Sequence, residues 1–275
     1  MAITAADINK LRQMTGAGMM DCKKALTEAD GDFEKAIDEL RKKGQKVAAN
    51  RSDRDSKEGV VVAKTTSDNT KGMVLAVNCE TDFVAKNEAY QQLANNILDI
   101  AIAKNPKTAD DLKALAYDDK ISIGEKLIEQ TGVIGEKIEL TKYEIVEAPF
   151  VVAYNHPGNR LANIVGFNNP AVTAEVAKNV AMQVAAMAPV AVDKGDVDAE
   201  TIQREIEVGK EQARAEGKAE EMLEKIAMGK LNKFYKESTL LNQEFIKDSK
   251  KTIAQYMNDS EKGLTVTGFK RIALS

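Results

Sequence analysis

The sequence twice places short apolar runs of strand length before a helical pattern, and this order constrains the fold more than any other feature. Residues 59–64 and 71–77 predict a hairpin of strands, and apolar residues recur at helical spacing from 88 to 104. The second half repeats the order, with three strand-like runs and then one helical run over residues 139–147, 150–154, 161–167 and 173–187. Residues 264–274 alternate like a strand that returns to a sheet. Strands grouped before a helix favour an α+β fold over alternating βαβ units, so we predict a duplicated α+β core.

The beginning of the chain predicts a separate bundle of three short helices. Thr4 and Asp7 have the pattern of a capping box, Asp32 is a candidate N-cap, and Gly44 is a candidate C-cap. Polar and charged residues without helical periodicity follow and predict a linker. The predicted division is a helical bundle over residues 1–46, a linker over 47–57, a first core unit over 58–148 and a second core unit over 149–275.

Two charged, helix-favouring stretches around Gly217 predict a helical (coiled-coil) hairpin, inserted into the second core unit over residues 196–236. Its apolar residues are few and form a thin stripe of Ile202, Ile206, Met222, Leu223 and Ile226. So narrow a stripe buries little surface. We expect the hairpin either to lean on a partner or to protrude.

The composition excludes several classes of protein. With 275 residues, 43% of them hydrophobic, the chain is long enough to bury a substantial core. Its net charge of −4 and its pI of about 5.4 argue against a protein that binds nucleic acid through a basic surface. The sequence has no apolar run long enough to cross a bilayer, and no membrane partner is expected.

The N-terminus and the cysteines indicate the compartment. Residues 1–7 lack the charged start and apolar stretch of a signal peptide and the arginine richness of a transit peptide. Cys22 and Cys79 are the only cysteines, and their spacing fits neither a metal site nor a redox motif. Reduced thiols are typical of the cytosol, so we predict a cytoplasmic protein.

An abrupt change from apolar to polar residues marks the most informative functional position. The predicted strand over residues 71–77 runs towards Thr81, Asp82, Phe83 and Val84, which we call the corner. Thr81 is a candidate helix N-cap, and Asp82 in the first turn would complement the helix dipole. In one interpretation the corner is therefore an ordinary helix start. In the other, Phe83 points outward beside a carboxylate and enters a pocket of a partner protein.

The sequence contains no motif for covalent chemistry. Gly16-Ala17-Gly18 lacks the third glycine of a dinucleotide-binding loop and follows a helical pattern, and no phosphate-binding loop occurs. His156 is the only histidine, which excludes a multi-histidine zinc site, and its neighbours are typical of a turn. Paired catalytic carboxylates and a nucleophile elbow are also missing. We expect neither enzyme activity nor a bound cofactor or metal.

Two further features each allow two interpretations. Six basic residues form either a solvated linker or a phosphate-contacting arm: Arg41, Lys42, Lys43, Lys46, Arg51 and Arg54. Met19 and Met20, at a glycine-rich turn, are either core residues or, beside Arg12, an adaptable docking surface.

Two long segments carry a family resemblance. Residues 77–86, with the sequence VNCETDFVAK, resemble the second signature of the elongation factor Ts family, and residues 11–26, LRQMTGAGMMDCKKAL, resemble its first. The similarity spans nearly the whole chain and is strongest in the first third. The resemblance implies a ubiquitin-associated-like fold for the bundle. It also implies a guanine-nucleotide exchange factor that binds elongation factor Tu, in its GDP-bound and nucleotide-free forms, during bacterial protein synthesis.

The same resemblance implies roles for particular residues. Those implied to dislodge the partner's Mg²⁺, with the phenylalanine as a wedge between partner helices, are Thr81, Asp82, Phe83 and Val84. Those implied to bind the partner are Arg12, Met19, Met20, Lys23 and His156. The turn after His156 departs from the family pattern, because Pro157-Gly158-Asn159 enlarges or stiffens it.

Two other functions remain compatible with the sequence. A non-catalytic adaptor would combine a ubiquitin-associated-like module with a coiled-coil hairpin, and that hairpin could also form a dimer. An RNA-binding chaperone would use the basic residues, although the acidic composition argues against direct contact with nucleic acid. Stimulated release of GDP from elongation factor Tu separates nucleotide exchange from both.

Overall fold

The computed structural model describes residues 3–274. The helices α1 to α11 are, in chain order, Ala5–Thr15, Met19–Glu28, Phe33–Asn50, Asp82–Ala85, Glu88–Lys104, Ala109–Ala114, Ile123–Ile134, Ala174–Met187, Ala199–Ala215, Glu220–Ser238 and Ile253–Ser260. The strands β1 to β8 are Glu58–Thr65, Lys71–Cys79, Glu139–Glu147, Phe150–Asn155, Leu161–Phe167, Glu244–Phe245, Asp248–Thr252 and Val266–Ala273. Helices and antiparallel strands together confirm the predicted α+β class. The predicted bundle and second core unit also include residues 1, 2 and 275, which lie outside the described residues.

Two three-stranded antiparallel sheets have the same plan. In the first, β1 and β2 form a hairpin, and β3 returns beside β2 after the helices α4 to α7. In the second, β4 and β5 form a hairpin, and β8 returns beside β5. The predicted hairpin over residues 59–64 and 71–77 and the predicted return of the last strand are therefore confirmed.

β3 belongs to the first sheet, so residues 139–147, which lie within the predicted first core unit, were wrongly grouped with the strands of the second half. It pairs with β2 in a register that places Leu75 opposite Tyr143 and Met73 opposite Ile145. An apolar pattern identifies a strand, but it does not identify the distant strand with which that strand pairs.

The two sheets pack face to face, and each carries helices on its outer side. The apolar layer between them consists of Val61, Ala63, Val74, Ala76, Val146, Val151, Ala162, Ile164 and Ile272. The alternate residues of β1 and β2, such as Val62 and Leu75, face α5, whereas α8 and α11 cover the second sheet. β2 is thus buried on both faces, which explains its continuous apolar sequence. The corner lies at the end of this buried strand.

The first three helices form a small bundle with its own core, and α3 connects that bundle to the rest of the molecule. The capping box of Thr4 with Asp7 and the N-cap of Asp32 are present. Gly44 does not end α3, which continues to Asn50, so the predicted C-cap was wrong and the start of the predicted linker is helical. Gly44 instead lies where α3 crosses α7. A Cβ added to Gly132 of α7 would lie 2.4 Å from the Cα of Gly44. Glycine is required there because two helix backbones approach closely.

α9 and α10 form an antiparallel helix pair in the predicted hairpin region. They meet at a seam of small residues, where a Cβ added to Gly209 would lie 3.1 Å from the Cα of Ala227. Ala213, Leu223 and Leu231 are also buried in the two helices. The predicted apolar stripe was wrong at Met222, which is exposed. The two backbones approach so closely that small residues, and not Met222, form the contact between the helices.

Candidate functional site

The corner presents one large apolar side chain to solvent on a short, well-anchored helical turn. β2 ends at Cys79, and Thr81 caps α4 by accepting a hydrogen bond from the backbone N–H of Val84 at 3.5 Å. Phe83 is 82% exposed, whereas Val84 packs partly against the core of the first sheet. Phe83 therefore points outward, as the second interpretation expects. The corner is a helix start as well, because the cap predicted at Thr81 is also present.

Asp82 is ionised and locally paired. Its carboxylate accepts a hydrogen bond from Lys86 Nζ at 2.6 Å. That hydrogen bond lowers the pKa of Asp82 below its usual value. Both side chains are exposed at the surface, so the ion pair is open to exchange with charges on another molecule. The lysine moderates the negative charge that the sequence suggested at this position.

Two carboxylates behind the corner were missed by sequence reasoning. Glu136, just after α7, accepts hydrogen bonds from the backbone N–H groups of Glu80 and Thr81 at 3.1 and 3.0 Å, and from the Thr81 hydroxyl at 2.6 Å. Oε1 of Glu80 itself lies 2.7 Å from Nη1 of Arg51, the residue that follows α3. The same oxygen accepts a hydrogen bond from the backbone N–H of Lys137 at 2.7 Å. No local pattern could have revealed these contacts, since the partners are 29 to 57 residues apart in sequence.

The end of β2, beneath the corner, is buried and hydrogen-bonded. The thiol of Cys79 lies 3.2 Å from the backbone carbonyl of Thr81, and the Tyr90 hydroxyl donates to the carbonyl of Val77 at 2.9 Å. Burial raises the pKa of the Cys79 thiol to about 11. This cysteine is therefore protonated and shielded at neutral pH.

We expect Cys79 to resist alkylation in the folded protein. With its pKa raised to about 11, the Cys79 thiol stays protonated at pH 8, and the side chain is fully buried. Iodoacetamide labelling followed by peptide mass spectrometry should show slow modification of Cys79 in buffer and rapid modification in denaturant. Rapid labelling in buffer would mean that the corner opens locally.

The N-terminal bundle presents a second exposed surface. Arg12 on α1 and Met19, Met20 and Lys23 on α2 are all exposed, the two methionines by 52% and 75%. We call these four residues the docking patch. The interpretation of Met19 and Met20 as core residues was wrong, since α2 turns Cys22, Ala25 and Leu26 inward instead. Met14, which sequence reasoning did not select, is also exposed.

The basic residues around the end of α3 are largely paired with acids. Lys43 lies 2.5 Å from Asp21, and Lys42 lies 2.6 Å from Glu39. Arg41 and Arg51 pair with Asp38 and Glu80. This arrangement favours a structural and solvated segment over a phosphate-contacting arm.

His156 occupies an exposed turn between β4 and β5. Its Nδ1 lies 3.1 Å from the Tyr154 hydroxyl. The turn packs along the edge of β1, where the carbonyl of Asn159 accepts from the backbone N–H of Val61 at 2.7 Å. Arg160 in the same turn pairs with Glu58, which lies opposite Cys79 in the first sheet. His156 is thus linked to the corner through the sheet and not by a direct hydrogen bond.

The exposed groups of these surfaces suit protein recognition. Among residues 3–274, no group of three or more histidine, cysteine or acidic side chains is arranged to hold a metal ion. Within the same range, no helix is both long enough and apolar enough to cross a membrane. The arrangement therefore offers an apolar projection, a neighbouring carboxylate and a methionine-rich patch, all typical of contacts with another protein.

Known proteins of one family are similar to this chain. The family model described as Elongation factor TS matches residues 80–275. A protein from Flavobacterium psychrophilum named Elongation factor Ts is 54% identical over 274 residues, which cover 99% of this chain and 98% of the relative. A protein of the same name from Cytophaga hutchinsonii is 54% identical over 275 residues, covering 99% of both chains. Another from Porphyromonas gingivalis is 48% identical over 275 residues, covering 100% of this chain and 99% of the relative.

Proposed function

The chain belongs to the elongation factor Ts family, and we propose that it is the guanine-nucleotide exchange factor of elongation factor Tu in protein synthesis. The observation that carries the proposal is the exposed Phe83, held on a capped turn inside the family-like segment. A non-catalytic adaptor could also use a projecting aromatic side chain, so it is the family that favours exchange over an adaptor. A translation factor of this kind works in the cytoplasm and makes no covalent change to its partner.

Exchange by such a factor is a matter of coupled binding. The chain would bind elongation factor Tu more tightly when nucleotide is absent. Because coupling between two sites is reciprocal, it would weaken GDP binding by the same factor. GTP could then enter the vacated site.

The corner is the part of the chain that we expect to act on the nucleotide site. Phe83 would insert between helices of the partner and displace groups that hold Mg²⁺, and Asp82 would place a carboxylate near the metal. Loss of Mg²⁺ leaves the phosphates of GDP without their main counter-charge, so GDP dissociates faster. Thr81 and Val84 would contribute by fixing the turn, since one caps it and the other packs beneath it.

The remaining surfaces would supply affinity. We propose that the first three helices form a ubiquitin-associated-like module whose docking patch contacts the nucleotide-binding domain of elongation factor Tu. His156 and the helix pair of α9 and α10, which we interpret as a coiled-coil hairpin, would contact other parts of the partner. Exposed Val208, Met222 and Met228 give that hairpin an apolar outer surface. The same surface would be the dimer interface if the hairpin formed a dimer.

The proposed function is tested by the release of GDP. Elongation factor Tu loaded with fluorescent GDP is mixed with excess unlabelled GDP, with and without saturating purified chain. We expect release to be many times faster with the chain present. An unchanged release rate from a complex that demonstrably forms would favour the adaptor instead.

Replacing both docking-patch methionines should weaken binding without unfolding the chain. Met19→Ala with Met20→Ala removes two exposed side chains, so the unfolding midpoint should hardly change. We expect the dissociation constant for nucleotide-free elongation factor Tu, measured by calorimetry, to rise by about tenfold or more. Unchanged affinity would remove the patch from the binding surface. As a control, Met257→Ala removes a fully buried methionine and should lower the unfolding midpoint.

The hairpin should be separable from exchange. Replacing residues 201–235 by a short flexible linker should leave the cooperative unfolding of the two sheets intact, because their cores do not include these residues. We expect weaker binding or a changed oligomeric state by light scattering, with GDP release still accelerated at saturating protein. Loss of cooperative unfolding would show that the hairpin stabilises the core.

A further inference from the structure

The corner begins where the backbone loses its sheet partner. β2 pairs with β3 up to Asn78 opposite Glu139, and the chain then turns towards α4. The N–H groups of Glu80 and Thr81 are therefore left without a strand to accept them. A partly buried N–H group without an acceptor is costly, so something else must bind them.

Glu136 fills that role with both of its oxygens. Oε2 accepts from the two N–H groups, and Oε1 accepts from the Thr81 hydroxyl. The Thr81 hydroxyl donates its proton to Glu136 and keeps its lone pairs as acceptors. It therefore accepts a hydrogen bond from the N–H of Val84, and this bond caps α4. One carboxylate thus sets both the direction of the turn and the cap that follows it.

The position of Glu136 is itself set by α7. The C-cap of that helix is Gly135, whose left-handed backbone (φ of 81°) turns the chain sharply, so that the next residue faces the corner. α7 also packs on α3 at the Gly132 and Gly44 crossing. The support of the corner is therefore continuous with the support of the N-terminal bundle.

A second carboxylate connects the same two regions. Glu80 is half-buried, and its two oxygens lie 2.7 and 2.9 Å from Nη1 of Arg51, at the C-terminal end of α3. Although burial acts to raise the pKa of Glu80, the N–H of Lys137 and the Arg51 guanidinium outweigh it and hold that pKa below its usual value. Glu80 therefore stays ionised and paired at neutral pH.

We propose that Glu136, supported by the Arg51–Glu80 ion pair, is the positioning residue that holds Phe83 in the direction needed to enter the partner. The inference rests on the proposed exchange function and adds to it a named support outside the family-like segment of the corner. Glu136 does not touch the partner in this role. It acts through the backbone of residues 80 and 81 and through the cap of α4.

The test measures the rate of GDP release at saturating protein separately from the affinity for elongation factor Tu. Wild type, Glu136→Ala, Glu136→Gln and the control Glu147→Ala are each titrated into elongation factor Tu loaded with fluorescent GDP. Glu147 pairs with Lys71 at the opposite end of β2, so its removal deletes the same charge far from the corner. Unfolding midpoints give the folded fraction of each variant.

We expect Glu136→Ala to lower the maximal release rate per folded molecule by about tenfold or more, because a small misplacement of the acting group is costly even when the mutation is remote from it. The half-saturating concentration should change much less. Glu136→Gln should lose less of the rate than Glu136→Ala, because its amide oxygen still accepts from both N–H groups although its NH2 group cannot accept from the Thr81 hydroxyl. Glu147→Ala should match wild type.

Hydrogen exchange gives a readout that needs no partner. By mass spectrometry, amides of residues 80–86 should exchange faster in Glu136→Ala than in wild type, while those of β1 stay protected. If Glu136→Ala fails to fold, Arg51→Ala provides the same two measurements, with a smaller expected fall in rate. Normal maximal rates in the folded variants would overturn the positioning role while leaving the exchange function intact. An inactive wild type would instead overturn the exchange function and this role with it.

Discussion

Phe83→Ala should slow stimulated GDP release at saturating protein by about tenfold or more, while weakening binding considerably less. The proposed wedge would act by favouring the nucleotide-free state of the partner, so its loss should appear in the maximal rate. Phe83 is 82% exposed, and removing it should change the free energy of unfolding by about 0.5 kcal/mol or less. The two measurements are the maximal release rate and the unfolding midpoint of the free variant.

Phe167→Ala is the matched control for this substitution. Phe167 is fully buried in the core of the second sheet, and its truncation should cost about 3–5 kcal/mol of stability. Exchange per folded molecule should be unaffected. If Phe83→Ala behaved like Phe167→Ala, with a large loss of stability and normal exchange, Phe83 would be a structural residue and the wedge mechanism would be wrong.

Gly132→Ala should separate the N-terminal bundle from the core. The added Cβ would lie 2.4 Å from the Cα of Gly44, a distance that side-chain movement cannot relieve. We expect a loss of about 1–3 kcal/mol in stability, because α3 must move away from α7. The docking patch would then lose its fixed position relative to the corner, so affinity for elongation factor Tu should also fall.

Gly229→Ala provides the control for a glycine within a helix. Gly229 lies inside α10, and a Cβ added there meets no atom within 4 Å. Alanine should therefore stabilise the chain by about 0.5–1 kcal/mol through its higher helix propensity. Thermal unfolding of both variants tests the assignment. A neutral Gly132→Ala would mean that the α3–α7 contact is loose and that the bundle is not fixed to the core.

Much of the corner could be predicted from sequence because its signals are local. Thr81 as N-cap and the apolar strand before it depend on neighbouring residues. The direction of Phe83 could not be fixed in the same way, because it depends on where distant elements pack. Glu136 gave no signal at all, since it lies 55 residues from Thr81 and resembles any other surface glutamate in sequence.

The errors in the fold have the same physical origin. A glycine that ends a helix and a glycine that allows two helices to touch are indistinguishable in sequence, and Gly44 is of the second kind. The contact between α9 and α10 is formed by Gly209 and Ala227, whereas the hydrophobic pattern suggested Met222. Two helix backbones can approach this closely only where the side chains between them are small. The pairing of β3 with β2 likewise depended on contacts across the chain.

If the chain is an exchange factor, its binding to elongation factor Tu and the binding of GDP must weaken each other. The most direct measurement is the affinity of the chain, by calorimetry, for nucleotide-free and for GDP-saturated elongation factor Tu, alongside the affinity for GDP with and without the chain. We predict much tighter binding to the nucleotide-free form, with the same ratio obtained in both directions, as reciprocal coupling requires. Equal affinity of the chain for the two forms would contradict an exchange function and leave a partner that binds without releasing nucleotide.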